Sequence, residues 1–159
     1  MPHMTVHQKL VAMTESYEIK SGNQIAYTAK KKMISAGADF KIMQGKDVIA
    51  EIDEKILPAV RTFRILIQGQ RVAVVKQQIP SFSKDMLVEP MGWKLDGDLT
   101  GTNFRFVGDR RQVYATVHKK IIAFSDTYEV DFDDPENALL IAALVIVLDE
   151  TFHSKRSEK

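Results

Sequence analysis

Lysine and arginine are the side chains through which this chain could do chemistry, and that chemistry is the recognition of anions. Lys30, Lys31 and Lys32 are consecutive, and Arg61, Arg64, Arg71 and Lys76 lie on one stretch that reads as a hairpin. A guanidinium forks onto a phosphate or carboxylate, and an ammonium acts on it as a point charge. Residues 1–80 hold 12 basic and 7 acidic side chains, and residues 81–159 hold 10 and 14, so the positive half is the N-terminal one. Across all 159 residues, 22 basic side chains against 21 acidic ones leave a net charge of +1. No global field therefore draws the molecule onto a polyanion, and any such partner must be met by a local patch. Arg64 and Lys76 are expected to face solvent. The competing reading of the whole set is a solvated exterior with scattered ion pairs.

Other chemistry finds little support. The chain has no cysteine, which removes disulfides, thiolate metal sites and a cysteine nucleophile. That fits a reducing compartment, and no basic segment followed by an apolar core opens the chain, so it reads as cytoplasmic, with peripheral membrane association as a further expectation. His3, His7, His118 and His153 are scattered and form no His-x-x-x-His pair. A nucleophile elbow, a phosphate loop and a dinucleotide fingerprint are all missing, so no catalytic residue and no cofactor is nominated and the protein is expected not to be an enzyme. Asp126, Glu129, Asp131, Asp133, Asp134 and Glu136 form an acidic segment that could attract calcium. It lacks the alternating Asp-x-Asp-x-Asp loop with its glycine, so it is read as a strand exit and helix cap, with no metal site.

A 23-residue repeat supplies the elements that must position these groups. A basic or amide residue followed by an aliphatic one recurs at Lys9-Leu10, Lys32-Met33, Lys55-Ile56 and Gln78-Ile79, and again at Lys120-Ile121. Seven positions on stand Tyr17, Phe40, Phe63, Met86 and Tyr128, and two beyond these Ile19, Ile42, Ile65, Val88 and Val130. The period-2 spacing is that of a strand with one buried face. A turn centred on residue 46 pairs Ile42 with Ala50, Phe40 with Ile52 and Lys41 with Glu51. Moving it by 23 pairs Ile65 with Ala73 and Phe63 with Val75. Ile25 falls one place out of register with Ile49, which predicts a first hairpin one residue shorter. Five two-strand units, with strand-like runs near Trp93–Leu95 and Asn103–Val107 in the insertion before the fifth, predict about twelve antiparallel strands.

One segment breaks the pattern. Asp134-Pro135-Glu136 reads as an N-cap with proline at the first helical position. The eleven residues from Ala138 to Leu148 are all apolar, so the helix they form has no polar face and must be surrounded. The run is about half of what a membrane span needs and is closed by Asp149 and Glu150, which favours burial in protein. A helix roughly 10 Å across fits inside a barrel wider than eight strands. The predicted architecture is a closed antiparallel barrel of about twelve strands around a central hydrophobic C-terminal helix from roughly Pro135 to Phe152. Ala50, Ala73 and Ala115 are its small inward residues. Residues 5–152 form this single domain, residues 1–4 read as a cloning remnant, and residues 153–159 as a flexible tail.

The predicted barrel, the segment from Ser125 to Asp131 and the helix from Leu139 to Glu150 together resemble the tubby C-terminal-like superfamily, and within it the bacterial members of the LURP-one-related family, relatives of the phospholipid scramblases. The likeness spans about Thr5 to Phe152 and is most specific from Tyr114 to Glu150. It implies a twelve-stranded barrel around a hydrophobic helix. Tubby-type domains bind phosphoinositides, so the resemblance also implies a binding or scaffold domain that meets anionic lipid headgroups or a membrane surface. Two other expectations are kept: scramblase-like insertion through the terminal helix, and nucleic-acid binding through the basic half, which the near-neutral charge disfavours. No protein partner is named. With the interior filled, any ligand binds the outer wall or a rim, and Lys30, Lys31, Lys32, Arg61, Arg64, Arg71 and Lys76 are the candidates.

Overall fold

The structure is a computed structural model that describes all residues except 1, 12–13, 33–36, 57–59, 79–85, 98–101, 123–124 and 158–159. Twelve strands follow in chain order: β1 (His3–Val11), β2 (Thr14–Ser21), β3 (Gln24–Lys31), β4 (Phe40–Gln44), β5 (Asp47–Ile56), β6 (Val60–Ile67), β7 (Gln70–Gln78), β8 (Met86–Glu89), β9 (Trp93–Gly97), β10 (Asn103–Val107), β11 (Val113–Ile122) and β12 (Ser125–Phe132). Each pairs antiparallel with its neighbour in sequence, and β1 with β12 closes the barrel. Closure gives each of the described strands a partner on both sides.

The repeat sets the register. Ile42 faces Ala50, Phe40 faces Ile52 and Lys41 faces Glu51, and one repeat later Ile65 faces Ala73 and Phe63 faces Val75, as the spacing predicts. The prediction of a shorter first hairpin is wrong. Tyr17 faces Ala29 and Ile19 faces Tyr27, each 23 residues before its counterpart. A bulge falls between Ile19 and Lys20, between Ile42 and Met43, and between Ile65 and Leu66. It turns the residue after each hairpin onto the outer wall, so Ile25 corresponds to Val48 and not to Ile49. Gly22, Gly45 and Gly69 occupy the turns with φ of +63°, +62° and +79°, a left-handed backbone that glycine adopts without a Cβ penalty. The strand total is reached differently from the prediction. The fifth unit supplies only β12 before the helix, and β1, β10 and β11 complete the twelve.

Asp134 accepts a hydrogen bond from the Glu136 backbone N–H at 3.0 Å, and a 3-10 turn over Pro135–Asn137 leads into α1 (Ala138–Ser157). Ile141, Ala142, Ala143, Leu144, Val145, Ile146 and Val147 are fully buried. Around them stand the inward residues of the strands, among them Val6, Tyr17, Phe40, Ile42, Phe63, Ile65, Phe104, Phe106 and Val130, with Ala50, Ala73 and Ala115 buried as expected. Among the described residues no helix is long and apolar enough to cross a membrane. Two boundaries differ from the sequence reading. β1 already begins at His3, with Met4 buried against the core, and α1 continues to Ser157.

Candidate functional site

The structure does not gather the seven predicted cations into one patch. Alternation along β3 turns Lys31 to the same side as buried Ala29, into the barrel mouth, while Lys30 stays exposed and Lys32 lies just past the strand end, also exposed. Three consecutive strand residues cannot share a face. Arg61 has the inward parity of Phe63 and Ile65 and is likewise not an exterior group. Its Nε donates to Glu54 Oε2 at 2.5 Å, a second nitrogen donates to Oε1 at 3.2 Å, and the guanidinium lies 5.1 Å over the Phe63 ring. Arg64 and Lys76 do face outward, each matched by an acid that sequence proximity hid. Arg64 hydrogen-bonds Asp53, its cross-strand neighbour, and this bond holds the Asp53 carboxyl below its ordinary value. Lys76 stands 3.2 Å from Glu89. Arg71 is exposed beside its turn.

A smaller set of cations enters no ion pair among the described residues, although Lys41 has Glu51 as its cross-strand neighbour on β5. Lys30 of β3 and Lys41 of β4 are directly opposite each other and both exposed. None of the ion pairs among the described residues takes up Lys30, Lys32 or Lys41. Like charges directly opposite on antiparallel strands are destabilising. Toward the turn, the same face continues through Met43 to Val48, which is 46% exposed, and Ile25 on β3 is 55% exposed. Lys46 is exposed at the tip of the β4–β5 hairpin. The outer wall of β3 to β5 thus combines lysines outside any ion pair among the described residues with exposed aliphatic side chains.

A second polar assembly lies inside the barrel, where α1 reaches the strand ends opposite the glycine turns. The Tyr17 hydroxyl donates to Asp149 Oδ2 and the Tyr128 hydroxyl to Asp149 Oδ1, each at 2.5 Å, so one fully buried carboxylate joins β2 and β12 to the helix. Burial and the adjoining carboxylate push the Tyr17 hydroxyl well above its ordinary pKa. Lys31 Nζ lies 3.5 Å from Glu15 Oε2 and 3.6 Å from Glu150 Oε2, and Gln8 Nε2 donates to Glu15 Oε1 at 3.5 Å. Lys119 stands 3.5 Å from Asp126, both nearly fully buried. Sequence reasoning missed this cluster, although a signal existed. Gln8, Lys31, Glu54 and Gln77 are 23 residues apart and form one inward column of the repeat whose members are all polar.

The remaining nominated groups disperse. His3 pairs with Asp131 at 2.8 Å, His7 with Thr127 at 2.6 Å and His118 with Asn103 at 2.7 Å, while the side chain of His153 lies outside the described residues. Of the acidic segment, Asp126 points inward, Glu129 meets Lys120 at 2.9 Å and Asp134 caps the helix. Trp93 is buried and stacks on Tyr114 at 4.5 Å, as core packing requires.

A model of one protein family, LURP-one-related, matches residues 3–149, nearly the whole barrel and the buried part of the helix. The chain belongs to the LURP-one-related family. The chain is also similar to the uncharacterized protein YxjI of Bacillus subtilis (strain 168), at 28% identity over 94 residues. The matched stretch covers 59% of this chain and 57% of that protein. No solved structure matches the LURP-one-related barrel described above.

Proposed function

We propose that this chain is a non-enzymatic binding domain that docks on anionic membrane surfaces through the outer wall of β3, β4 and β5. The observation that carries the reading is the opposed pair Lys30 and Lys41, two exposed like charges of which only Lys41 has an acid, Glu51, opposite it on the next strand and neither of which enters an ion pair among the described residues, next to exposed Val48 and Ile25. The arrangement is costly in isolation and becomes favourable against a surface that supplies negative charge at the lysines and an apolar boundary at the aliphatic tips. The buried length of α1 fills the middle of the barrel, which leaves the outer wall and the rims for a ligand.

Flotation with vesicles of phosphatidylglycerol, set against phosphatidylcholine at low salt, tests the reading. The wild type is expected to float with the anionic vesicles only. Each lysine at a charged surface is worth about 1 kcal/mol, so Lys30→Gln with Lys41→Gln should lower partitioning roughly thirtyfold. Arg64→Gln with Lys76→Gln, where each cation is already matched by an acid, should change it little. Absence of flotation, or equal losses in both double variants, overturns the assignment. A salt-dependent shift with generic duplex DNA in place of flotation would move it to nucleic acid.

A further inference from the structure

Among the described residues, the charges at the polar end of the barrel do not balance as they stand. Glu54 is matched by Arg61, and Lys119 by Asp126. Asp149 spends one oxygen on each of two tyrosine hydroxyls. Glu15 and Glu150, by contrast, share Lys31, at 3.5 and 3.6 Å, as their one cation among the described residues. Glu150 is 4% exposed, and its Oε1 is buried without a hydrogen-bond donor, with the Glu15 carboxyl within hydrogen-bonding reach of Glu150. Two carboxylates facing each other offer only acceptors. One proton placed between them supplies the missing donor and removes the surplus negative charge.

We infer that Glu15 of β2 and Glu150 of α1 share one proton in the closed barrel, and that this proton is a latch: its release to solvent loosens the helix end at residues 149–151 while the apolar length of α1 stays seated. The surrounding groups fix the direction of the response. Burial and the carboxyls of Glu15 and Asp149 hold the proton, and Lys31 works against it. The outcome is a Glu150 carboxyl pushed up to about 8 from an ordinary 4.5. Among the described residues the surroundings also hold Gln8 from β1, which carries no charge, Tyr17 from β2, whose hydroxyl keeps its proton well above its ordinary range, and Tyr128 from β12, which donates to Asp149. The folded protein keeps a proton that the unfolded chain releases near pH 4.5, so this group's contribution to stability is greatest below 4.5 and is lost as pH rises through about 8. His7 acts in the opposite sense, because burial and the charges of Lys9 and Lys20 lower its pKa, and its effect falls below its ordinary 6.5. The window from pH 7 to 9 isolates the latch. Its consequence reaches the outer wall, since Lys31 lies on β3 between the outward Lys30 and Lys32, but the inference does not depend on membrane docking.

Carboxyl-carbon NMR of the intact chain tests the shared proton without any substitution, and Glu150 should titrate near 8. In denaturant melts the wild-type unfolding constant should rise up to about tenfold per pH unit between 7 and 8 and level off by 9. Glu150→Gln should flatten that rise, and Glu15→Gln gives the same reading should Glu150→Gln fail to fold. A Glu150 midpoint below 6, or an unchanged pH slope in the folded variant, overturns the latch.

Discussion

Leu140–Leu148 and Asp149–Thr151 are consecutive on one helix and equally buried, yet different forces hold them. The first stretch meets aliphatic and aromatic side chains on all sides, and each large side chain gains roughly 1.5–3 kcal/mol by leaving water, whatever its orientation. In the second, Asp149 depends on two hydroxyls at 2.5 Å, Glu150 on a lysine and a neighbouring carboxyl, and Thr151 on the Leu148 carbonyl at 2.7 Å. Apolar burial tolerates any partner of the right size. Buried polar groups tolerate only their own, and loss of one member leaves the others unsatisfied. The lesson is that the barrel encloses its helix by volume along most of the length and ties it by direction at one end.

Substitutions can break or sharpen this contrast. The largest effect is expected inside the apolar stretch. Leu144→Asp places an unpaired charge at a fully buried site, a penalty of several kcal/mol against a total stability of about 5–15, and should leave no soluble folded protein in an expression and circular-dichroism assay. At the polar end, Asp149→Leu strands two buried hydroxyls and should cost about 2–5 kcal/mol in urea unfolding, with Tyr17→Phe losing about half as much. Equal costs for Tyr17→Phe and Asp149→Leu would show that Tyr128 does not hold the helix independently. Ala73→Leu forces extra volume into the close-packed interior and should lower stability by roughly 1–3 kcal/mol. The outer wall sets the floor: Lys76→Ala removes an exposed pair with Glu89 and should cost well under 1 kcal/mol, readable as a melting shift near zero.

The two regions also differ in how far the sequence discloses them. The apolar columns repeat every 23 residues, and Phe40 with Ile52 or Phe63 with Val75 can be paired on paper because one strand and its return follow directly along the chain. The eleven apolar residues of α1 need only be surrounded, which the strand number allows. The first hairpin misleads because Ile25 is apolar in an outward place, and hydrophobicity alone cannot tell an exposed aliphatic residue beside a bulge from a core one. The polar end was illegible for another reason. Its partners are far apart in sequence, Tyr17 with Asp149 and Lys31 with Glu150, and become neighbours only when α1 is threaded through the closed barrel. The outer cations were misread for the same cause. Their acids are not neighbours along the chain: Asp53 reaches Arg64 across the ladder and Glu89 reaches Lys76 from the next strand.

Native-state hydrogen exchange along α1, followed at pH 6 and pH 9, tests the contrast most directly. Amides of Leu144–Leu148 should exchange only through global unfolding at both pH values, because nothing short of opening the barrel exposes them. Amides of Asp149–Thr151 should match them at pH 6 and exchange through a separate, local opening at pH 9. Uniform protection along the whole helix at both pH values, or early exchange within Leu144–Leu148, would contradict a helix enclosed by volume and tied at its polar end.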